Sequence, residues 1–466
     1  MNRQTSQTYT FNFEDVHQTL RHGKVSFVDG AHQVEHTVNI AAPDIRFLDR
    51  LRSEMSPVLA DLVDLAVSVY AADRLCHRRT DERATIQIRL PVRAPNVLSN
   101  PTVVKHLVDV LHWFTYDNWS FDFELRATIP RPAELQPLLD CLDQSRPVEV
   151  SLWSGGLDSF AGLCHRISAD RDDDMQHVLL GAGASTQMES TQKRLIDCVD
   201  PARSHTKLVQ APIRMVDADR RRRNSTPRAR GFVFLLLGAV CSLLHDQDRL
   251  FVFENGVGAI NLRYPGSDSA TDHSRSVHPI SLKRMGVLVS AAIGQEFCFE
   301  NPFLFSTKAQ LCSTLLDSRH RGCVPLTVSC DRRHHAAEQQ CGYCSSCLLR
   351  RQALAAVGLE DRTCYVLNSR RRKHRESDGD HLRAVLCQVH MLRQLLCGKD
   401  PWLGLVGYDP GLIEVAKIEA SRLGASVAST SENLVSLYRA YVEEWGRVSE
   451  IISLGLIDDH DYRVRA

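Results

Sequence analysis

The segment at 154–159, with the sequence Ser-Gly-Gly-Leu-Asp-Ser, has the residue types needed to hold a phosphate group. It follows an apolar run at 148–153 and opens a helical pattern that starts at Ser159. Gly155 and Gly156 allow the backbone to approach a ligand closely. The N–H groups at the start of a helix point toward an anion, and the helix dipole favours the negative charge. The residues predicted to contact a nucleotide are Ser154, Gly155, Gly156, Leu157, Asp158 and Ser159.

The carboxylate in this turn needs a separate explanation, because it would face the negative charge of the phosphates. We predict that Asp158 holds Mg²⁺ or an ordered water, since Mg²⁺ is usually shared between carboxylates and substrate phosphates. The order S-G-G-x-D-S resembles the motif of the PP-loop ATP pyrophosphatases, which split ATP into AMP and pyrophosphate. A tight turn between a strand and a helix, without any ligand, is the alternative.

Four cysteines further along the chain have the spacing of a metal site. The predicted ligands are Cys330, Cys341, Cys344 and Cys347. Two-residue spacers let successive thiolates converge on one ion, and four thiolates close a tetrahedral zinc site without a position for water. We predict structural Zn²⁺, and the alternatives are an iron–sulfur cluster or a redox CxxC pair. His334 and His335 lie between the ligands and are interpreted as exposed loop histidines, with competition as metal donors as the alternative.

The turn at 154–159 is predicted to lie on a sheet of alternating strands and helices. The candidate strands are 148–153, 177–181, 207–211, 250–253 and 297–299. This alternation predicts parallel strands joined by right-handed crossovers, and hence an α/β fold with a doubly wound parallel sheet. Ligands of such sheets bind at the carboxyl ends of the strands, where the turn falls.

The pattern divides the chain into three predicted domains. Residues 1–146 form an N-terminal α+β accessory domain, and residues 147–360 form the ATP-binding catalytic domain, which includes the zinc loop 330–347. Residues 361–466 form a helical C-terminal extension. No catalytic signature is found in the N-terminal part.

Periodicity predicts individual elements in the flanking parts. Alternation of apolar and polar residues indicates antiparallel strands near 9–13, 86–92 and 119–125, beside a helix at 58–70. In the C-terminal part, a helix is predicted at 381–397. A later helix is predicted to start at Ser429, because Glu432 three residues on completes a capping-box pattern.

Composition limits the classes of partner. The 466 residues include 56 Lys+Arg and 56 Asp+Glu, so no net charge directs the chain to nucleic acid or to a membrane. The longest apolar run, 231–241, is too short to span a bilayer and predicts a buried helix. Basic runs at 220–223 and 370–375 are interpreted as solvated loops, with an ATP-facing or RNA-facing patch as the alternative.

The cysteine count and the N-terminus predict the cellular compartment. The chain has 15 cysteines, and its polar N-terminus lacks the apolar core of a signal peptide. We therefore predict a cytoplasmic protein with thiols and metal ligands rather than disulfides. The cysteines predicted to be small core residues are Cys164, Cys198, Cys241 and Cys298.

The two motifs, in this order, resemble the 7-cyano-7-deazaguanine synthase family, a group of PP-loop ATPases with a Cys₄ zinc loop near the C-terminus. The resemblance covers about residues 148–360. Intermediate landmarks that also resemble the family are Arg228 and Arg230 before the apolar helix, Gly256 after a strand, Tyr264 before a proline, Lys308 after a threonine, and Arg350 after the last cysteine.

Other features differ from the family pattern. The segment at 180–186 lacks the aromatic and acidic residues that the family has there, and no acidic residue flanks Tyr264 and Pro265. The chain also carries additional N-terminal and C-terminal parts. In this enlargement it resembles the synthase-like components of bacterial anti-phage operons.

The resemblance implies an ATP-dependent ligase that forms C–N bonds and releases AMP and pyrophosphate. A deazapurine carboxylate, 7-carboxy-7-deazaguanine in the family, attacks the α-phosphorus of ATP, and ammonia then displaces AMP. Asp158, Ser159 and Lys308 become the candidate catalytic residues. Arg228, Arg230 and Gly256 join the nucleotide-binding set, and Tyr264 is a candidate for stacking on the base. The implied cofactors are ATP, Mg²⁺ and Zn²⁺, and a homodimer is compatible with the resemblance.

Three other functions stay open at this point. The activated deazapurine could be conjugated to an amine of a partner protein, because a protein substrate needs the docking surface that additional domains offer. A PP-loop enzyme that modifies tRNA is the second, although neutral charge and metal-committed cysteines argue against it. The third is a subunit that senses ATP without turning it over.

Overall fold

The structure is a computed structural model. It describes residues 7–14, 22–28, 35–41, 54–78, 82–127, 146–170, 174–181, 186–202, 205–215, 224, 227–265, 275–316, 319–331, 339–366 and 380–457. The basic runs at 220–223 and 370–375, and also His334 and His335, lie outside the described residues. The described part contains two β-sheets and many helices.

The first sheet contains mainly N-terminal strands. Its members are β1 (Gln7–Glu14), β2 (His22–Val28), β3 (Glu35–Ala41), β4 (Ala84–Val92), β5 (Asn118–Leu125) and β9 (Arg214–Met215), in the order β5-β4-β1-β2-β3-β9. Strands β1, β2 and β3 pair in antiparallel fashion, but β1 is parallel to β4, and β4 is parallel to β5. The prediction that the strands near 9–13, 86–92 and 119–125 are antiparallel is therefore wrong, because alternation reveals a half-buried strand and not the direction of its neighbour.

Helical crossovers explain the parallel pairs in this sheet. The helices between the strands are α1 (Pro57–Leu75), α2 (Pro95–Leu98) and α3 (Pro101–Thr115). Parallel strands need such long connections. A single buried apolar cluster includes Tyr9 of β1 together with Val150 and Phe232 from the central part of the chain. The two sheets consequently share one core.

The second sheet carries the turn at 154–159. Its strands are β6 (Val148–Leu152), β7 (Gln176–Gly181), β8 (Thr206–Gln210), β10 (Arg249–Phe251) and β11 (Cys298–Glu300), in the order β11-β10-β6-β7-β8. All four neighbouring pairs are parallel. The predicted α/β fold with a parallel sheet is confirmed. The strand of this sheet that comes first in the sequence, β6, has β7 on one side and β10 on the other.

Helices connect the strands of the second sheet and continue to the cysteine cluster. They are α4 (Leu157–Ala169), α5 (Thr186–Val199), α6 (Arg230–Leu243), α7 (Gly256–Ile260), α8 (Pro279–Ile293), α9 (Lys308–Ser313), a 3₁₀ helix (Arg319–Leu326) and α10 (Ser345–Ala356). Helix α6 contains the apolar run at 231–241 and is almost completely buried, as predicted.

Four helices form the described C-terminal part. They are α11 (Asp380–Leu396), α12 (Pro401–Tyr408), α13 (Gly411–Leu423) and α14 (Val427–Ile457). The prediction that the last helix starts at Ser429 is wrong, because the Ser429 amide already donates to the hydroxyl of Ser426 at 3.1 Å. No described helix combines enough length with enough apolar character to cross a membrane.

Cys198 and Cys323 form a disulfide, and their Cα atoms lie 6.2 Å apart. The prediction of thiols without disulfides is wrong at this position, and Cys198 is not a free core thiol. The two cysteines are separated by 125 residues, so their pairing depends on how α5 packs against the 3₁₀ helix. Cys164 and Cys241 are buried thiols, as predicted, whereas Cys298 is half-buried.

Candidate active site

The turn at 154–159 connects β6 to α4. Gly155 has φ +77°, in the region that favours glycine. Gly156 is the N-cap of α4 and offers no side-chain acceptor to the first amides of the helix. The Leu157 amide lies 3.5 Å from the hydroxyl of Ser329, a residue that sequence reasoning did not select. The helix start thus keeps the amide geometry that suits an anion.

Two serine hydroxyls belong to the same turn. Ser154 Oγ accepts a 3.1 Å hydrogen bond from the Gly156 amide and lies 3.1 Å from Ser159 Oγ. The Ser159 hydroxyl donates to the carbonyl oxygen of Gly156 at 3.0 Å. Ser154 is exposed and Ser159 is buried. An incoming phosphate therefore meets Ser154 first.

Asp158 lies in a buried polar cluster with residues from two other segments. Its Oδ1 accepts a 2.9 Å hydrogen bond from Asn255 Nδ2, and its Oδ2 forms an ion pair with Lys308 Nζ. Asn255 Nδ2 also donates to Glu254 Oε1 at 2.7 Å. One amide nitrogen therefore bridges two carboxylates. The cluster brings together two predicted catalytic residues, Asp158 and Lys308.

The charges of the cluster influence one another. Burial and the nearby Asp158 carboxylate raise the pKa of Glu254 to about 8. For Lys308, burial opposes the charged form, but Asp158 and Glu254 overcome this effect and raise its pKa. Lys308 is therefore a buried ammonium paired with the Asp158 carboxylate. Perturbed carboxyl groups in such a setting are typical of functional sites.

The backbone around Asn255 is closely packed. Asn255 is the N-cap of α7, and its Oδ1 accepts a hydrogen bond from the Gly258 amide at 2.9 Å. The amide of Gly256 donates to the carbonyl oxygen of Ser306 at 2.8 Å. A Cβ atom on Gly256 would lie 1.8 Å from the carbonyl oxygen of Leu304, so no larger residue fits there. Gly256 thus joins α7 to the segment that carries Lys308.

The four predicted metal ligands lie together. The sulfur atoms of Cys330, Cys341, Cys344 and Cys347 are all within 4.8 Å of one another. The Cys341 and Cys347 sulfurs are 3.8 Å apart. Backbone amides donate to two of the sulfurs, at 3.3 Å for Cys330 and 3.2 Å for Cys341. Tetrahedral Zn–S bonds of about 2.3 Å require sulfurs about 3.8 Å apart, so the set fits Zn²⁺.

Arg350 supports the chain before the cysteine cluster. Its buried guanidinium donates to the carbonyl oxygen of Val324 at 2.9 Å and to the Thr363 hydroxyl at 2.8 Å. It also donates to the hydroxyl of Thr327. A planar, permanently charged donor with several N–H groups suits such a buried junction. Arg350 therefore connects the residues on both sides of the cluster.

Of the two predicted phosphate-clamping arginines, Arg228 contacts residues that lie next to β4 and β5 of the first sheet. Arg228 Nη1 donates to the carbonyl oxygens of Glu82 and Thr115, both at 3.1 Å, and lies 3.6 Å from Asp117. Arg230 is exposed, and its guanidinium lies 5.0 Å from the ring centroid of Phe234. Their predicted contact with phosphate stays a prediction.

Tyr264 lies close to the cysteine cluster. Burial, and then Asp331 and Cys344, raise the pKa of its phenol to about 12. The ring is half-buried against the C-terminal helices. Stacking of Tyr264 on a purine-like base stays a prediction.

Sequence reasoning missed Glu254, and it selected Gly256 without assigning a role to the preceding Asn255. A usable signal was present, because both residues lie within four positions of the end of β10, and β10 is parallel to β6 across one register pair. The carboxyl ends of parallel neighbours lie at one edge of a sheet. Polar residues after β10 therefore fall beside Asp158.

A parallel sheet with an anion-suited turn at the end of a strand is an arrangement that occurs in folds that bind nucleotides. Within this chain, residues 276–358 match the family model described as Queuosine biosynthesis protein QueC. The matched segment contains Lys308 and all four clustered cysteines, while the turn at 154–159 lies before it. No curated protein matches the chain. The match supports a QueC-like enzyme that uses ATP.

Proposed function

We propose that this protein is an ATP-dependent ligase that activates a carboxylate by adenylation and then joins it to a nitrogen nucleophile. The observation that carries the proposal is the cluster of buried Asp158 and Lys308 with half-buried Glu254 beside the phosphate-suited turn. The QueC match over residues 276–358 supports the same activity.

We also propose that the second sheet is a doubly wound PP-loop sheet. Its order, β11-β10-β6-β7-β8, supports this arrangement, since the chain starts at β6 and continues to both sides. In such sheets ligands bind where the strand order reverses, which is at the end of β6. The α-phosphate and pyrophosphate groups of ATP would accordingly lie against residues 154–159.

The proposed reaction has two steps. A carboxylate oxygen of the acid attacks the α-phosphorus of ATP, the bond to the β-phosphate oxygen breaks, and pyrophosphate leaves. An amine nitrogen then attacks the acyl carbon of the adenylate, loses a proton, and displaces AMP to leave an amide. The protein acts by orienting the reactants and by stabilising charge, with Lys308 and the α4 amides placed to neutralise phosphate oxygens.

Metal ions would support these steps without changing the roles of the side chains. Asp158 and Glu254 offer carboxylate oxygens, the ligand type that Mg²⁺ shares with phosphates, and bound Mg²⁺ would neutralise developing phosphate charge. Asp158 now bonds to Asn255 and Lys308, so Lys308 would exchange this carboxylate for a phosphate oxygen when nucleotide enters. The cysteine cluster would hold Zn²⁺ in a closed, structural site.

The substrate we propose is a 7-carboxy-7-deazaguanine-like acid, and the nitrogen donor is ammonia. Tyr264 supports this choice, because its half-buried ring lies beside the cysteine cluster, where it can stack on a flat base. A second ATP would convert the amide to the nitrile.

By its resemblance to enlarged synthase-like proteins, the chain would act in anti-phage defence, and a plaque assay with and without its gene tests that role.

The test is a reaction of purified protein with Mg-ATP, 7-carboxy-7-deazaguanine and ammonium, followed by mass spectrometry. We expect AMP together with the amide or the 7-cyano product. The matched control is Asp158→Asn, which retains the size of the side chain. Absence of any ATP consumption by the wild-type protein would contradict the proposal.

A second candidate acceptor is an amine of a partner protein. It is favoured by β5, which lies at the edge of the first sheet and carries Leu125 with 71% of its surface exposed. An edge strand can pair with an extended peptide. Incubation of the partner with enzyme, acid and ATP should then increase its intact mass, and an unchanged mass would exclude this acceptor.

A further inference from the structure

The carboxylate of Glu444, on α14, contacts the segment that carries Lys308. Its Oε1 accepts a 2.6 Å hydrogen bond from the Thr307 hydroxyl, and its Oε2 accepts a 3.1 Å bond from Gln352 Nε2. The side chain is only 4% exposed. A buried carboxylate is rare unless its oxygens are bonded, and both are bonded here.

Thr307 connects Glu444 to the backbone of α9, because its side chain also caps this helix. Its hydroxyl accepts a 3.1 Å bond from the Gln310 amide, and Gln310 Oε1 accepts from the Thr307 amide at 2.9 Å, which forms a capping box. A hydroxyl has one hydrogen. Because Glu444 accepts that hydrogen, a lone pair of the oxygen is directed to the Gln310 amide. Lys308, the next residue, is the first of α9.

The C-terminal helices also contact two other segments near the site. Gln388 of α11 donates to the carbonyl oxygens of Leu262 and Arg263, at 2.9 and 3.0 Å, in the segment before Tyr264. Leu437 of α14 lies against Gly256, since a Cβ atom there would be 2.7 Å from its side chain. The segments that present Asn255, Tyr264 and Lys308 are therefore all packed against α11 or α14.

We propose that Glu444 is a positioning residue that holds Lys308 against Asp158, and that the C-terminal helices thereby form part of the active site. The catalytic consequence rests on the proposed ligase function. The position of Lys308 can be measured in protein that catalyses no reaction. The positioning role of Glu444 and the ligase function can therefore be refuted independently.

The central variant is Glu444→Gln. The new amide keeps an oxygen for the Thr307 hydroxyl but directs its NH₂ group at the NH₂ group of Gln352. The exchange variant Glu444→Gln with Gln352→Glu restores a donor and an acceptor on each side. The matched control is Glu443→Gln, which removes the neighbouring, exposed carboxylate of α14.

Two measurements report on the proposal. Acylation of Lys308 by an amine-reactive reagent, quantified by mass spectrometry of its peptide, reports on its ion pair, and AMP formation reports on catalysis. We expect Glu444→Gln to increase Lys308 acylation and to decrease kcat, each about tenfold, with KM for ATP within about twofold. The exchange variant should restore both values, and Glu443→Gln should leave both unchanged.

The proposal is overturned if folded Glu444→Gln protein shows wild-type acylation of Lys308, or if the exchange variant remains as impaired as the single variant. If Glu444→Gln does not fold, Gln352→Met removes only the amide that orients the carboxylate, and unchanged acylation in this variant would overturn the proposal. If the acylation results follow expectation but wild-type protein never forms AMP, the positioning role stands and the ligase function fails.

Discussion

The backbone amide of Val328 donates a 2.9 Å hydrogen bond to the carbonyl oxygen of Gly155. This bond joins the chain just before Cys330 to the turn that is suited to phosphate. Val328 and Gly155 are 173 positions apart in the sequence, from 155 to 328. A metal held by the cysteines would therefore stabilise a segment that directly braces the turn. Loss of the metal is therefore expected to alter both the fold of the cysteine cluster and the geometry of the turn at 154–159.

Removal of the metal ligand at Cys344 tests this connection. We expect Cys344→Ser to lose one equivalent of zinc and to lower the free energy of unfolding by about 3 kcal/mol or more, because structural zinc contributes folding energy. Elemental analysis and urea denaturation measure the two effects. Cys364→Ser, at an exposed cysteine outside the cluster, is the control. Iron with a visible absorption band in the wild-type protein would refute the zinc assignment.

Neutralising Asp158 should remove catalysis and keep the fold. We expect Asp158→Asn to decrease AMP formation by about 10²–10³-fold, because charge stabilisation at a water-poor site is worth this much. Without the Asp158 charge, the pKa of Glu254 would fall, so its carboxylate would remain near Lys308 and the circular dichroism spectrum should be unchanged. The control Asp122→Asn removes a carboxylate from an exposed ion pair with Arg89. Wild-type turnover by Asp158→Asn would exclude a catalytic role for this carboxylate.

Local features of the site could be predicted because they depend on neighbouring residues. The turn at 154–159 follows from a buried strand, two glycines and a helix start, and two-residue spacers bring Cys341, Cys344 and Cys347 together. The contact between Asp158 and Asn255 spans 97 residues and requires knowledge of which strands are neighbours. Arg228 illustrates the same limit, since its partners Glu82 and Thr115 belong to a part of the chain read as a separate domain.

The strand β9 is a second example of a feature that the sequence does not predict. Its two residues, Arg214–Met215, pair with β3 of the N-terminal sheet, although they lie between β8 and α6 in the chain. Two residues carry no periodicity. Only the packing of the shared core determines where such a short strand adds to a sheet, so β9 could not be predicted from the sequence.

The raised pKa of Glu254 predicts how stability depends on pH. The pKa of this carboxyl is 4.5 in the unfolded chain, and burial and the Asp158 charge raise it to about 8 in the folded protein. The folded protein thus binds more protons within this window, so the free energy of unfolding should fall as pH rises from about 4.5 to about 8. Glu254→Gln should flatten this decline, which urea midpoints measured across the range would detect.

The matched control for this experiment is Glu124→Gln, at an exposed carboxylate of β5. It should leave the slope of stability against pH as in the wild-type protein. An equal slope in wild-type and Glu254→Gln protein would show that Glu254 is ionised throughout the window, which would contradict the raised pKa of this residue.

Loss of the disulfide should destabilise the protein and affect the site. Cys198 and Cys323 close a loop of 125 residues in sequence, and their removal by Cys198→Ser is expected to lower the free energy of unfolding by about 2–4 kcal/mol. The 3₁₀ helix that contains Cys323 leads to Val328 and Ser329, both bonded to the turn at 154–159. A decrease in ATP turnover should therefore accompany the loss of stability. Reductant should act on the wild-type protein as the substitution does and have no further effect on Cys198→Ser, whereas free thiols at both positions in unreduced protein would contradict the pairing.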